Sequence, residues 1–500
     1  MAILGLLFAA SLALAGPGDS RLADAAQRSD RDAIRTLIQQ KADLNAAQAD
    51  GMTALHWATR QNDLDTVQML IKAGAKIEIA TRYGVTPFYL ACANGNAAMI
   101  ETFLKAGSNP NAANPGGETA LMTATRTGNV DAIKTLLDRG AVVNAKEEVR
   151  GQTALMWAVL ENHPAAATLL LQKGADVNAQ TAVVIPDGTT GEPQGTSGDI
   201  GAHGPGIYRP RAIPAPSGGM TALNFAAREG LKEMTQILLD AKADINLPAA
   251  NGSTPLIVAT INNHIQLALL LVERGANVNQ PDRFWKRTPL FAAVEMRNPD
   301  FTRESAPALP DAGDPMDLIK VLLAKGANPN AQVNTVPPRG FMQGTASWVN
   351  FDGQTPFIKA ALVGDITVMK LLLEKGADPN IKTTEGSTAL MAAAGVNWVV
   401  SQTYSRSNEE YLEAARLCLE KGNDVNAVNK QGFTAMHGAT NKGFDAMVKL
   451  LVAAGGKLDV KDSQGRTPLD FAGGIFLAVQ PPVAKPSTIA LVKELLGEKK

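Results

Sequence analysis

The chain has 500 residues, of which 45% are hydrophobic, 19% charged and 5% aromatic, with a mean hydropathy of −0.04. This is the composition of a folded, water-compatible protein. The formal net charge of −1 excludes a general polyanion binder, because nucleic-acid binding needs a basic face to displace counterions and no Lys/Arg-rich run occurs.

Residues 1–15, MAILGLLFAASLALA, are uncharged and apolar, with Ala13 and Ala15 placed for an A-x-A cleavage site before Gly16-Pro17-Gly18. They predict a signal peptide and an exported protein, periplasmic or secreted, although no Lys or Arg precedes the apolar run. The run is shorter than the ~20 apolar residues a spanning helix needs. No Cys follows it and no second apolar segment is long enough, so neither a lipid anchor nor stable membrane insertion is expected.

From residue 19 to the C-terminus one pattern recurs. Its anchor is Thr followed by Ala or Pro and then an apolar residue, at Thr53, Thr86, Thr119, Thr153, Thr221, Thr254, Thr288, Thr355, Thr388, Thr434 and Thr467. Five of the ten intervals are 33 residues and two are 34; the others are 68, 67 and 46. Ser20, 33 residues before Thr53, opens a degenerate first unit and makes twelve. Each Thr predicts an N-cap, and Pro after it fits the first helical position, where its missing N–H costs nothing. A short apolar helix, a polar turn and a Leu-rich second helix follow. Gly closes most second helices, from Gly74 to Gly455; Lys41 and Lys242 replace it and predict strain or a different cap. An Asn comes next in nine of eleven units, read as closing a turn with its own side chain, with Glu78 and Asp459 in the other two. Finally a Gly-containing turn leads back to the next Thr.

Thr-Pro/Ala-Leu-His-x-Ala, a Leu-rich helix and then Gly174-Ala-Asp-Val-Asn-Ala179 resemble the ankyrin repeat over nearly all of residues 19–500. The resemblance implies an all-α repeat solenoid of stacked helix pairs, with β-hairpin fingers on one edge and a concave groove formed by fingers and first helices. It also implies protein partners. The Met-rich variant at Met122, Met156 and Met391 is similar to bacterial exported ankyrin proteins.

The long intervals are insertions rather than hidden repeats, since the Thr-to-Asn spacing of 25 is kept between Thr153 and Asn178. Finger loops are extended at about 181–219 and 333–352, and inter-helix loops at about 299–315, 396–408 and 475–487. Loops this long are usually contact elements or disordered. In the first finger loop Tyr208, Arg209 and Arg211 are the contact-like residues; in the second, Phe341, Trp348 and Phe351.

Nothing in the chain composes a reaction centre. His56 and His437 occupy the repeat motif, His163 and His264 begin second helices, and His203 lies alone in a Gly-rich loop with no local metal-ligating partner. The glycines at 198, 201, 204 and 206 lack the strand, helix and Lys-Ser/Thr of a phosphate-binding loop. Cys92 and Cys418 lie 326 residues apart in separate units, too far to pair in an elongated stack. The reading is therefore a monomeric protein-binding scaffold, not an enzyme, with no cofactor or metal. Two alternatives stand beside it: an enzyme-associated subunit with a pocket built by the inserted loops, and an effector secreted to act on host proteins. The resemblance places contact residues after the first helices, at Arg60, Arg126 and Arg228 with Glu161, Glu229 and Glu295 nearby. In the fingers it places them at Tyr83, Phe284, Trp285 and Arg287. Arg and aromatic residues are the usual interface anchors.

Overall fold

The computed structural model of the protein describes residues 19–185, 215–298, 313–334, 349, 352–396, 406–475 and 482–497. It is a helical repeat solenoid with 24 helices among these residues, twelve consecutive pairs. By contact density it divides into two compact units, Met1–Ala182 with Gln236–Ala243, and Val183–Thr235 with Asp244–Lys500.

Ten of the twelve first helices start with the Thr cap that the sequence predicts. Thr53 holds extended backbone and its hydroxyl accepts from the His56 N–H; Thr86, Thr119, Thr153, Thr221, Thr254, Thr288, Thr355, Thr388 and Thr467 repeat the arrangement three residues on. Such a cap is worth about 1 kcal/mol to its helix. Ser20 begins the first helix without this bond; its hydroxyl donates to Asp24 instead. Second helices use Asp or Asn in the same role, as at Asp30, Asp63, Asn96 and Asn129.

The stack is held by a small residue at a fixed place. The fifth residue after the anchor Thr is Ala in all eleven such units, from Ala58 to Ala472, and none is more than 1% exposed. Within each unit, first helices pack on their own second helix and on the next first helix: Ala54–Arg60 on Leu64–Ala73 and Pro87–Ala93, and Pro255–Ile261 on Ile265–Glu273 and Pro289–Arg297. A methyl group at this position lets the helices approach closely, and burying one more methylene there would overpack the layer.

One expectation is corrected. The Asn after the second helix does not close its own turn. That bond comes from the residue two before it: Asp43 accepts from the Asn45 N–H, Asn109 from Asn111 and Asp378 from Asn380, each at 2.9 Å. The Asn reaches instead to the next repeat. Asn144 accepts from the Asp176 N–H at 2.7 Å and donates to the Gly174 carbonyl at 3.0 Å; Asn279, Asn330 and Asn426 do the same to the following helix end. The fingers turn back over a few residues, each closed by backbone bonds. Gln48 N–H bonds the Met52 carbonyl, Thr81 that of Val85, Thr383 that of Ser387 and Asp462 that of Arg466. Neighbouring tips are joined by a single backbone bond, as from Arg82 N–H to the Asp50 carbonyl and from Lys430 N–H to that of Glu385. Among the described residues only the first long finger forms a two-stranded ladder, antiparallel with Val183 opposite Gly218 and Val184 opposite Ser217.

Lys41 and Lys242 take φ of 60° and 70°, the left-handed conformation Gly holds elsewhere, so the helices end in the usual way at a strained residue.

In the second unit a buried ionic cluster pins the roots of two inter-helix insertions. Asp365, fully buried, caps Ile366–Glu374 and accepts from Arg297 Nε at 2.8 Å, from Asn298 Nδ2 at 3.0 Å and from Arg406 at 3.3 Å. Arg406 also donates to Asn298 at 2.7 Å and to Glu410 at 3.1 Å. Three successive repeats thus share one carboxylate.

Candidate functional site

The four described histidines are structural. His56 Nδ1 lies 2.8 Å from the Thr53 hydroxyl and its Nε2 lies 3.0 Å from the Val85 carbonyl in the next finger; His437 bridges Thr434 and Arg466 in the same way. His163 and His264 reach back to the carbonyls of Arg126 and Arg228. Burial pushes the pKa of His56 and His437 down. Cys92 and Cys418 are buried, and burial pushes both thiols up. Among the described residues no three His, Cys, Asp or Glu side chains converge as a metal site, and no helix is long and apolar enough to cross a membrane. His203 lies outside the described residues.

On the exposed edge the contact candidates are arginines on aromatic rings. Arg60 lies over Trp57, three residues back on the same helix, at 5.4 Å, and Arg228 lies likewise over Phe225 at 5.0 Å. Arg126 crosses to Trp157 of the next repeat at 5.1 Å, between Glu118 at 3.7 Å and Glu161 at 3.8 Å. Tyr83 is 70% exposed at a finger tip, with Arg82 over its ring at 5.2 Å. A guanidinium group over a ring is attracted to its face and keeps donors for a partner. Trp57, Trp157 and Phe225 were not singled out from sequence. The signal was present, an aromatic residue four after the anchor Thr.

Phe284 and Trp285 sit half-buried in one finger, edge to face with ring centres 5.1 Å apart. Asp282 organises that finger: its carboxylate accepts from the Trp285 N–H at 2.7 Å. Arg287 is not the surface residue expected. It is 6% exposed, facing Asp282 at 3.4 Å and Glu295 at 3.9 Å, and Glu295 is itself buried. The two residues belong to a buried charged layer beneath Trp285, where removal of Arg287 would leave carboxylates uncompensated. Burial, opposed by the nearby Arg287, raises the pKa of Asp282. Tyr208, Arg209, Arg211, Phe341, Trp348 and Phe351 lie outside the described residues.

A family model described as ankyrin repeats (3 copies) matches residues 22–114, 88–181, 210–282, 308–401 and 404–474, well over half of the chain. The chain belongs to the ankyrin repeat family. It is similar to the B-cell lymphoma 3 protein homolog of Mus musculus, 29% identical over 35% of this chain and 32% of that protein. It is also similar to the nuclear factor NF-kappa-B p105 subunit of Mus musculus, 31% identical over 33% of this chain and 14% of that protein. Rabankyrin-5 of Homo sapiens is 26% identical over 52% of this chain and 21% of its own length. The chain thus spans about a third or less of these curated relatives. Among solved structures, the ankyrin repeat domain of Bcl-3 matches with 27% identity and a TM-score of 0.38, covering 49% of this chain and 95% of that one.

Proposed function

We propose that this ankyrin-repeat chain is a monomeric protein-binding scaffold whose partner lies against the finger tips and the exposed face of the first helices. The observation that carries this reading is the recurrence of arginine–aromatic pairs on that edge, at Arg60, Arg126 and Arg228. Such pairs supply rigid contact area and directed donors at low entropic cost. We also infer that residues 1–15 direct export to the periplasm or beyond. The test is affinity purification from the native organism with the wild-type chain and with variants Arg60→Ala, Arg126→Ala and Trp285→Ala. Partner recovery should fall while far-UV circular dichroism stays unchanged. Full recovery with all three variants would sink this placement of the site. Cell fractionation with N-terminal sequencing of the mature chain tests export.

A further inference from the structure

The finger 282–287 combines three features. Ten other fingers, from Gly51 to Gly465, carry Gly two residues before the anchor Thr, with φ between 60° and 90°. Here the position holds Lys286, exposed and forced to φ 57°. A side chain in this conformation costs about 1 kcal/mol relative to Gly. Its sequence, Asp-Arg-Phe-Trp-Lys-Arg, also sets three cations against one carboxylate. Because Asp282 faces the buried Arg287, the excess positive charge is carried outward by the exposed Arg283 and Lys286, beside Phe284 and Trp285. No other finger closed by the tight turn carries more than one net positive charge. Third, Lys286 lines a cleft of about 450 Å³ together with Asn279, Thr288, Asn328 and Gln332. The amide groups there are committed to the stack: Asn279 bonds Gly326 and Asn328, and Gln332 bonds the carbonyls of Gly353 and Lys382. Among the described residues the cleft holds one cation, Lys286, and no carboxylate.

We propose that this finger and its cleft capture an acidic segment of the partner protein, a carboxylate entering the cleft to meet Lys286 while Phe284, Trp285 and Arg283 hold the flanking chain. The proposal rests on the scaffold reading above and names the chemistry of one of its contacts. A strained, exposed lysine where the ten other fingers use glycine fits a residue kept for binding. An exposed ammonium beside aromatic rings gains most from a partner that brings both negative charge and desolvation.

The test uses the full chain with a fluorescein-labelled oligoglutamate peptide, an oligolysine peptide of equal length, and phosphatidylserine–phosphatidylcholine vesicles. Fluorescence anisotropy should show binding of oligoglutamate that weakens with added salt, and no binding of oligolysine. Lys286→Gly should weaken oligoglutamate about tenfold, the loss of one charged hydrogen bond, while raising the melting temperature of the second unit by relieving the backbone. Lys286→Arg should retain the binding. Equal affinity in Lys286→Gly and wild type would overturn the proposal, as would sedimentation with the anionic vesicles in preference to peptide binding. If native partner recovery falls in Trp285→Ala but oligoglutamate binding ignores Lys286, the scaffold reading stands and this one falls.

Discussion

His56 and His437 show how a residue type usually read as chemistry becomes a fastener. Each is buried, each accepts at Nδ1 from the backbone N–H of its cap Thr, and each reaches a carbonyl of the following finger. Protonation would have to break the bond at Nδ1 and place charge in the core. The folded pKa of both therefore lies below the 6.5 of a free histidine. In that window the unfolded chain binds more protons than the folded one, so stability is fully present above about pH 6.5 and is lost as pH falls toward the folded value. Urea midpoints measured from pH 7.5 down to 5 should decline, and the decline should be shallower in a His56→Gln, His437→Gln double variant. Identical slopes would contradict this linkage. The sequence showed these roles because the histidines sit in the motif frame. It misplaced Arg287 and Glu295, since position in the repeat says which edge a residue occupies but not whether neighbouring side chains close over it.

At the scale of the element, the informative correction is the Asn ladder. Short Asx turns are legible in sequence, and the same residue two positions later reads as a second copy of that local device. The structure gives the local bond to the earlier residue and frees Asn to span 29 to 32 residues across the regular repeats. A side-chain bond between repeats cannot be told from a bond within one by spacing alone, because both sites recur with the same period. Asn330 makes both bonds, to Gly376 and Asp378. Asn330→Ala should cost about 1 kcal/mol in chemical denaturation, since the site is exposed and water partly replaces the lost partners. Asn330→Asp should retain the bond to the Asp378 N–H and lose the one to the Gly376 carbonyl, and so fall between. The helix starts, in contrast, were fully legible: a Thr cap acts within four residues and needs no tertiary information.

For the molecule as a whole, stability in a repeat array is a sum over neighbours, so damage stays local. The Asp365 cluster tests this, because it ties Arg297, Asn298 and Arg406 from three successive repeats to one carboxylate. Asp365→Asn keeps the cap and the shape and removes the charge. It should destabilise the second unit by about 2 kcal/mol, raising hydrogen exchange in helices Pro289–Arg297, Ile366–Glu374 and Asn408–Glu420. Exchange in Leu64–Ala73 and Val130–Asp138 of the first unit should not change. Exchange rising equally in both units would contradict nearest-neighbour stability. No pattern in the chain pointed to this cluster, since its members run from Arg297 to Arg406 and sit where the period is interrupted.

The Asn ladder also explains why those interruptions are harmless. Asn279 reaches Gly326 across 47 residues and Asn330 reaches Gly376 across 46, with the same two bonds that Asn144 makes across about 30. The same two bonds join the layers on either side of the insertions at about 299–315 and 333–352. The protein therefore counts layers rather than residues. Chain can therefore be added at a finger or a helix turn while the Asn bonds between the flanking layers are kept.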